Sequence, residues 1–517
     1  MPRPSRRDLA LAAASGLALG AAFLPWLPAA PVVPGLLAWI AFVPLLAVLE
    51  RRVADSTPGS WFRIGYLAGF VFFLTGTHWI TLLDDVALTI GWLKYLGWVL
   101  AAFYLALYWG CATWGAGWLA KRSGVPARWT FAVALLLVEE LRGSGDLGFP
   151  WFQPGYTQHE LLPVLQLAAL GSVTLVTAWV LLLNGALLTA WQRRTPRAAV
   201  LVLLLVGLPL ASGAWQLRAR RVPTGPPIAL VQGNIPGAIK WSGDHTEEIL
   251  RTFITLSDSV ARASSPALIV WPETATGTYV RRNPLQSVAV AQLAARSAAP
   301  VYMGFAHYTW GPDGKPVVWN AAGGWNPNGS FTEFYAKRHL VPFGERVPFQ
   351  RWIPALGKWD LGQAEWRPGP GTELFPGPRP APGEPPVKMS FLICFESIFP
   401  DLARADVRAG SQLLLNITND EWFGNGAALV QHAAMAPFRA VENRVPIARC
   451  ANTGLTEMID AYGVVTAKLP VFVPAVLVAA LPDAGATTPY TRVGDWPGWL
   501  ALFAALVLAA GVTRARR

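Results

Sequence analysis

A chain of 517 residues that is 53% hydrophobic and only 14% charged is too apolar for an ordinary soluble protein, in which about a quarter of residues carry charge. Its mean hydropathy of +0.36 and its 25 tryptophans, which favour the membrane–water interface, point to a membrane protein. The net charge of +11 does not point to nucleic acid, because the basic residues form short clusters between apolar runs rather than a stripe following phosphates.

Apolar runs lie at 9–27, 32–49, 64–83, 92–119, 128–141, 162–191, 198–214 and 496–513. Most approach the roughly 20 residues that a spanning helix needs, so eight transmembrane helices are expected. The first run follows Arg3, Arg6 and Arg7, as a signal peptide would. The next run begins almost at once and no clear cleavage site intervenes, so the first is expected to be retained. Glu139 and Glu140, at the end of the short fifth run, are expected to reach headgroups or cap their helix. With the N-terminus inside, the inner loops collect Arg51 and Arg52, then Lys121, Arg122 and Arg128, then Arg193, Arg194 and Arg197, then Arg514, Arg516 and Arg517. The outer loops are nearly bare of positive charge, and Asp84 and Asp85 lie in one of them. Arg218, Arg220 and Arg221 depart from the pattern, but long domains translocate largely regardless of such charge. The expected organisation is seven helices in 1–217, an extracytoplasmic domain at 218–490, and a last helix with a basic cytoplasmic tail at 491–517.

The outer segment has a different texture. Residues 227–235, 267–274, 300–308, 317–325, 387–395, 412–420 and 445–453 are continuous apolar runs bounded by turn formers, as buried strands are. Helical periodicity occupies 245–263, 283–298, 400–409 and 427–444. This alternation predicts an α/β domain whose sheet is covered by helices. The Pro/Gly-rich stretch 368–386 is expected to be a surface loop. Three cysteines exclude a disulfide framework, no His/Cys spacing suits a metal, and no spacing favours a 111–394, 111–450 or 394–450 bridge over the others. Cys111, inside an apolar run, is expected to be a packed small residue.

Three fragments carry chemistry. FLICFES (391–397) places Cys394 where a buried strand turns sharply toward a helix, which exposes a nucleophile while holding it rigidly. A thiol reacts only as thiolate and needs a base and a cation nearby. IVWPETA places Glu273 just past a strand end, where Trp271 and Pro272 would solvate it poorly, as suits a general base near neutral pH. FYAKRHLVPFGE places Lys337 at the end of the extended run 331–337, with Glu345 beyond, and a lysine there can stabilise an oxyanion. Cys450 in IARCANTG has no such partners and is expected to be a core thiol. Nothing in the pattern calls for a cofactor.

The order WPE, YxK, C-[YF]-E resembles the nitrilase, or carbon–nitrogen hydrolase, superfamily, with its Glu–Lys–Cys triad on an α-β-β-α sandwich. The flanking helices, GFPWFQPGYTQ (148–158) and LVQGNIPGAIKW (230–241) narrow the resemblance to the apolipoprotein N-acyltransferases. The resemblance implies Cys394 as nucleophile, Glu273 as general base, Lys337 as oxyanion stabiliser, Glu345 and Glu396 as supporting carboxylates, and functional positions at Trp241 and Asn320. Phe395 stands where many relatives have tyrosine. It also implies an acyl chain moving from a phospholipid, typically phosphatidylethanolamine, through a Cys394 thioester to the N-terminal amine of a diacylglyceryl-cysteine apolipoprotein. The expected setting is a bacterial inner membrane, with both termini cytoplasmic, the catalytic domain periplasmic and the protein a monomer. The segment 346–366, with Phe349, Trp352 and Trp359 among basic residues, is expected to form an interfacial arm. Two rival readings are a membrane-tethered amidase for a small amide, and a transporter or receptor, which would be expected to carry more intramembrane charges or repeated halves.

Overall fold

Proline decides the first departure from a simple bundle. The run expected as one helix at 32–49 is three pieces, Val32–Leu36, Ala38–Ala41 and Val43–Asp55. The ring of Pro44 removes a donor and crowds the carbonyl one turn back, so the helix breaks before it. Backbone groups freed in an apolar setting must find partners within the protein. Here Asn184 makes two of these bonds, donating from Nδ2 to the Ala38 carbonyl at 2.9 Å and accepting the Phe42 N–H at 3.0 Å. Gln158 donates to the Gly35 carbonyl at 2.9 Å, and the Leu45 N–H reaches Ser15 Oγ at 2.9 Å.

The computed structural model describes residues 4–55, 57–83, 91–350, 352–353, 355–356, 366–381 and 383–511. The chain divides into two compact units, one gathering Met1–Leu82, Trp92–Ala219 and Val493–Arg517, the other built on Arg220–Arg492. The first unit is helical. Among the described residues, five helical stretches are long and apolar enough to cross a membrane: Val32–Ala54, Pro58–Leu82, Leu93–Ser123, Ala168–Arg193 and Pro196–Leu217. The helices Arg6–Ala22, Ala127–Arg142 and Trp496–Ala510 are shorter. Two sequence expectations are corrected here. Glu139 does not reach outward but is buried against Arg142, one turn along, whose guanidinium also holds the Phe149 carbonyl. Cys111 is exposed on Leu93–Ser123 rather than packed. That helix is apolar all round, and a small thiol suits an apolar solvent as well as a core.

The second unit contains two six-stranded sheets. The strands are β1 (Pro227–Gln232), β2 (Leu268–Val270), β3 (Val301–Trp310), β4 (Pro316–Trp325), β5 (Tyr335–Ala336), β6 (Phe375–Pro376), β7 (Lys388–Ile393), β8 (Leu413–Thr418), β9 (Ile447–Ala451), β10 (Glu457–Ile459), β11 (Val465–Lys468) and β12 (Ala475–Ala480). One sheet runs β12-β1-β2-β3-β4-β5 and the other β11-β10-β9-β8-β7-β6. In each, three adjacent strands are parallel, β1-β2-β3 and β7-β8-β9, and the flanking pairs are antiparallel. Alternation across the pleat explains why the parallel strands read as unbroken apolar runs. Ile228 and Leu230 of β1 enter a core shared with Met389, Phe391 and Ile393 of β7. Ala229 and Val231 face the other way, into a cluster with Phe253 of helix Thr246–Ser264 and Leu293 of helix Pro284–Ser297. Leu392 and Leu414 on the second sheet pack with Ala403 and Ala440 from helices Pro400–Ala409 and Ala436–Asn443. The layers are therefore helix, sheet, sheet, helix. The single helix expected at 427–444 is two, Ala427–Ala433 and Ala436–Asn443, with Pro437 in the first turn of the second. The expected loop at 368–386 contributes β6, which pairs with β7.

Candidate active site

β7 ends at Ile393, and Cys394 follows with φ of +49°, a left-handed conformation that non-glycine residues adopt only when their surroundings hold them there. A tight turn, Cys394–Ile398, then leads to helix Pro400–Ala409. The Cys394 carbonyl accepts from Ser397 Oγ at 3.0 Å and lies 3.2 Å from His432 Nε2. His432 is itself paired with Asp420 at 3.0 Å, and Arg449 bonds the other Asp420 oxygen at 2.7 Å. Burial pushes the Cys394 thiol well up, the Glu273 charge adds to this and the Lys337 ammonium opposes it. The sulfur is thus held at rest as a neutral thiol.

Glu273 and Lys337 sit together on the other sheet. Glu273 follows β2 and is buried. Its Oε1 accepts from Asn320 Nδ2 at 2.7 Å and its Oε2 from the Asn419 N–H at 3.0 Å. Lys337, directly after β5, lies between two carboxylates, with Nζ 2.8 Å from Glu345 Oε1 and 3.5 Å from Glu273 Oε1. Burial works against its charge, but Glu345, Glu273 and Cys394 outweigh burial and hold the lysine above its usual range. Asn320 on β4 spans both acids, adding a bond of 3.1 Å to Glu345 Oε1, while Glu345 Oε2 accepts the Val341 N–H at 2.8 Å. The outcome is one permanent ammonium, an oriented carboxylate and a thiol within each other's fields.

Glu396 makes its hydrogen bonds to groups outside this cluster and ties the segments after β5 and β7 together. It accepts the Ile393 N–H at 2.7 Å on one side, and on the other the Arg338 N–H at 2.6 Å, the His339 N–H at 3.1 Å and the Tyr335 hydroxyl at 2.7 Å. Burial pushes its carboxyl up, opposed by Arg338 and by the Ile393 N–H.

The model of the apolipoprotein N-acyltransferase N-terminal domain matches residues 15–186, and that of carbon–nitrogen hydrolases matches 227–490. An apolipoprotein N-acyltransferase of Geobacter metallireducens is 34% identical over 98% of this chain and 95% of its own length. The chain belongs to the apolipoprotein N-acyltransferase family. The acyltransferase of Caulobacter vibrioides is likewise 34% identical, over 98% of this chain and 94% of its own. An amidase from Nesterenkonia sp. resembles it in structure at 19% identity and a TM-score of 0.37, covering 53% of this chain and 95% of the amidase.

Of the positions expected for an apolipoprotein N-acyltransferase, Glu273, Lys337, Glu345 and Asn320 form one hydrogen-bonded group, with Cys394 electrostatically coupled to it and Glu396 behind. Trp241 is half-exposed beside Lys240, whose Nζ is 5.5 Å from its ring centroid. Phe349 and Trp352 are exposed, Trp352 at 70%, while Trp359 lies outside the described residues. All three cysteines are free, and Cys450 is a buried thiol directed at the Val231 and Val270 carbonyls. No group of three or more His, Cys, Asp or Glu with metal-binding geometry occurs among the described residues. Sequence reasoning missed Lys240, buried with Nζ 3.1 Å from the Glu273 carbonyl, and the Asp420–His432–Arg449 network beneath the Cys394 turn. Neither carries a local signal, because both depend on loops and helices far apart in the chain.

Proposed function

We propose that this chain transfers a fatty acyl group from a phospholipid, typically phosphatidylethanolamine, to the N-terminal amine of diacylglyceryl-cysteine apolipoproteins. One observation carries the reading of the site: Lys337 bridges Glu273 and Glu345 beside a thiol held on a left-handed turn. Glu273 takes the Cys394 proton as sulfur attacks the ester carbonyl. Lys337 stabilises the oxyanion of the tetrahedral intermediate. Collapse breaks the carbon–oxygen bond, and the proton on Glu273 passes to the departing lysophospholipid, leaving a thioester. The free α-amine of the acceptor then attacks the thioester while Glu273 receives its proton. Loss of sulfur yields the amide and returns the proton to Cys394, so the kinetics are ping-pong. Glu345 and Asn320 orient Lys337 and Glu273, and Glu396 fixes the elbow.

Both substrates are lipids, which gives the helical unit a role beyond tethering. The reading includes an eight-helix bundle, made of the five long stretches and the helices Arg6–Ala22, Ala127–Arg142 and Trp496–Ala510. The distribution of Lys and Arg supports cytoplasmic termini and a periplasmic 218–490, between helical segments 1–217 and 491–517, in a bacterial inner membrane. The exposed Phe349 and Trp352 support an interfacial arm, in a protein that works as a monomer without metal or cofactor.

Intact mass spectrometry with and without phosphatidylethanolamine tests the reading. A hydroxylamine-labile acyl adduct that disappears in Cys394→Ser is expected. Absence of any adduct on the folded protein would replace acyl transfer with hydrolysis of a small amide.

A further inference from the structure

We infer that Lys240 is a positioning residue for the base: its ammonium fixes the Glu273 backbone and adds a second positive charge beside the Glu273–Cys394 pair. The inference rests on the catalytic roles proposed above for those two residues. Lys240 ends the short helix Gly237–Lys240, and its side chain is 1% exposed. Its Nζ donates to the Glu273 carbonyl at 3.1 Å. That carbonyl opens a turn in which Thr274 has φ of +43°, disfavoured for a β-branched residue and stable only if the surroundings hold it. The turn rests directly on the lysine. Gly277 has φ of +64°, and a Cβ there would lie 2.3 Å from the Lys240 carbonyl oxygen. On the opposite side the Glu421 carboxylate receives the Gly237 N–H, so the helix is clamped between two acidic segments.

A lysine buried merely for packing would be expected to lie against a carboxylate. Among the described residues Lys240 makes its side-chain hydrogen bond to a backbone carbonyl, with the Glu273 and Glu421 carboxylates near but not bonded to it, and burying an ammonium on so little is costly. Burial lowers its pKa to about 8, while the carboxylates of Glu273 and Glu421 pull it back up. The groups near it are those two, the Cys394 thiol, the Trp241 ring on its own segment and Lys337 beyond Glu273. A base with a lowered pKa is charged below that value and neutral above it. The second charge is present at pH 7 and is lost as pH rises through about 8. Lys337, held far higher, keeps its charge over the same interval.

The test compares the full-length protein with Lys240→Met and Lys240→Arg across this pH range. Two rates are read at Cys394: acylation from phosphatidylethanolamine vesicles, and alkylation by iodoacetamide, which needs no lipid. At pH 7 Lys240→Met should slow acylation roughly 10- to 100-fold, the range for losing one charge-assisted hydrogen bond, with KM unchanged. For both rates the ratio of wild type to Lys240→Met should fall above about pH 8 as the charge is lost, and level off above one, because the neutral amine still donates to the Glu273 carbonyl. Lys240→Arg should recover most of the rate at pH 7 and stay level through pH 9, because guanidinium keeps its charge. A ratio independent of pH, full activity in Lys240→Met, or Lys240→Arg no faster than Lys240→Met would each overturn the inference. If wild type forms no acyl adduct, the acyl-transfer reading fails by itself, and the alkylation ratio decides the role of Lys240.

Discussion

Replacing Glu396 by glutamine changes one oxygen to NH2 and nothing in size, yet the new donor, which can turn to the Tyr335 hydroxyl, no longer serves the N–H aimed at its position. Three backbone N–H groups point at this carboxyl, from Arg338 and His339 toward Oε1 and from Ile393 toward Oε2. The amide oxygen can serve the first two. The NH2 then meets the buried Ile393 N–H, one residue before Cys394. A buried donor left without an acceptor costs about 1–3 kcal/mol. For a domain of this size each kcal/mol lowers Tm by roughly 2–4 °C, so a fall of about 4–8 °C is expected for a mid-range loss. The loosened elbow should also slow Cys394 acylation by about 100-fold, the size of effect that a small misplacement of a reacting group produces. Thermal unfolding followed by tryptophan fluorescence and thioester formation followed by mass spectrometry read the two effects separately. Wild-type values for both would refute the view that Glu396 holds the turn. A slow enzyme with unchanged Tm would place Glu396 among the groups touching substrate instead.

Asn320→Asp sets a third carboxylate against Glu273 and Glu345, so one acid must hold a proton; acyl transfer should fall at least about 100-fold, measured as adduct formation at pH 7. Glu345→Gln leaves Lys337 with Glu273 as its remaining acidic neighbour in the cluster, and tighter pairing there should lower kcat about tenfold or more with little change in KM. Trp352→Ser should weaken turnover of vesicle-borne donor several-fold while leaving Tm and iodoacetamide alkylation of Cys394 unchanged; undiminished turnover on vesicles would remove the arm from the reading. His307 packs on Trp319 and Phe334, and burial with Arg281 and Arg282 lowers its pKa to about 4. The unfolded chain therefore binds its proton more tightly, so stability falls as pH drops from about 6.5 toward about 4, and His307→Phe should flatten that part of the Tm profile.

The parallel strands were legible because burial on both faces leaves an unbroken apolar run. Residues 387–395 announce β7, and 412–420 announce β8. β10, β11 and β12 were not. They are short or lie toward the sheet margins, where exposed positions such as Val465 and Val478 blur the pattern. In the helical unit the apolar runs were plain, but composition does not say where Pro44 breaks a helix or that Asn184 repairs it. Glu273, Lys337 and Cys394 stood out because each follows a strand. Lys240 did not, although its neighbour Trp241 did, since a lysine looks the same in sequence whether it is solvated or buried on a carbonyl. The Asp420–His432–Arg449 network joins the segment after β8, a helix and β9, and its proximity exists only after folding.

The last strand of the catalytic unit is the antiparallel partner of its first, with Pro227 opposite Ala480 and Gln232 opposite Ala475. During synthesis β1 emerges on the order of 240 residues before the strand that completes its edge, and closing a loop of that length is slow. Until then one side of β1 is a row of unpaired amides, the kind of template that captures other extended chains. A ribosome that stops before codon 475 thus releases a chain that holds every residue of the Glu273–Lys337–Cys394 site, yet has an open, adhesive sheet. Completion of the fold is thereby tied to completion of translation.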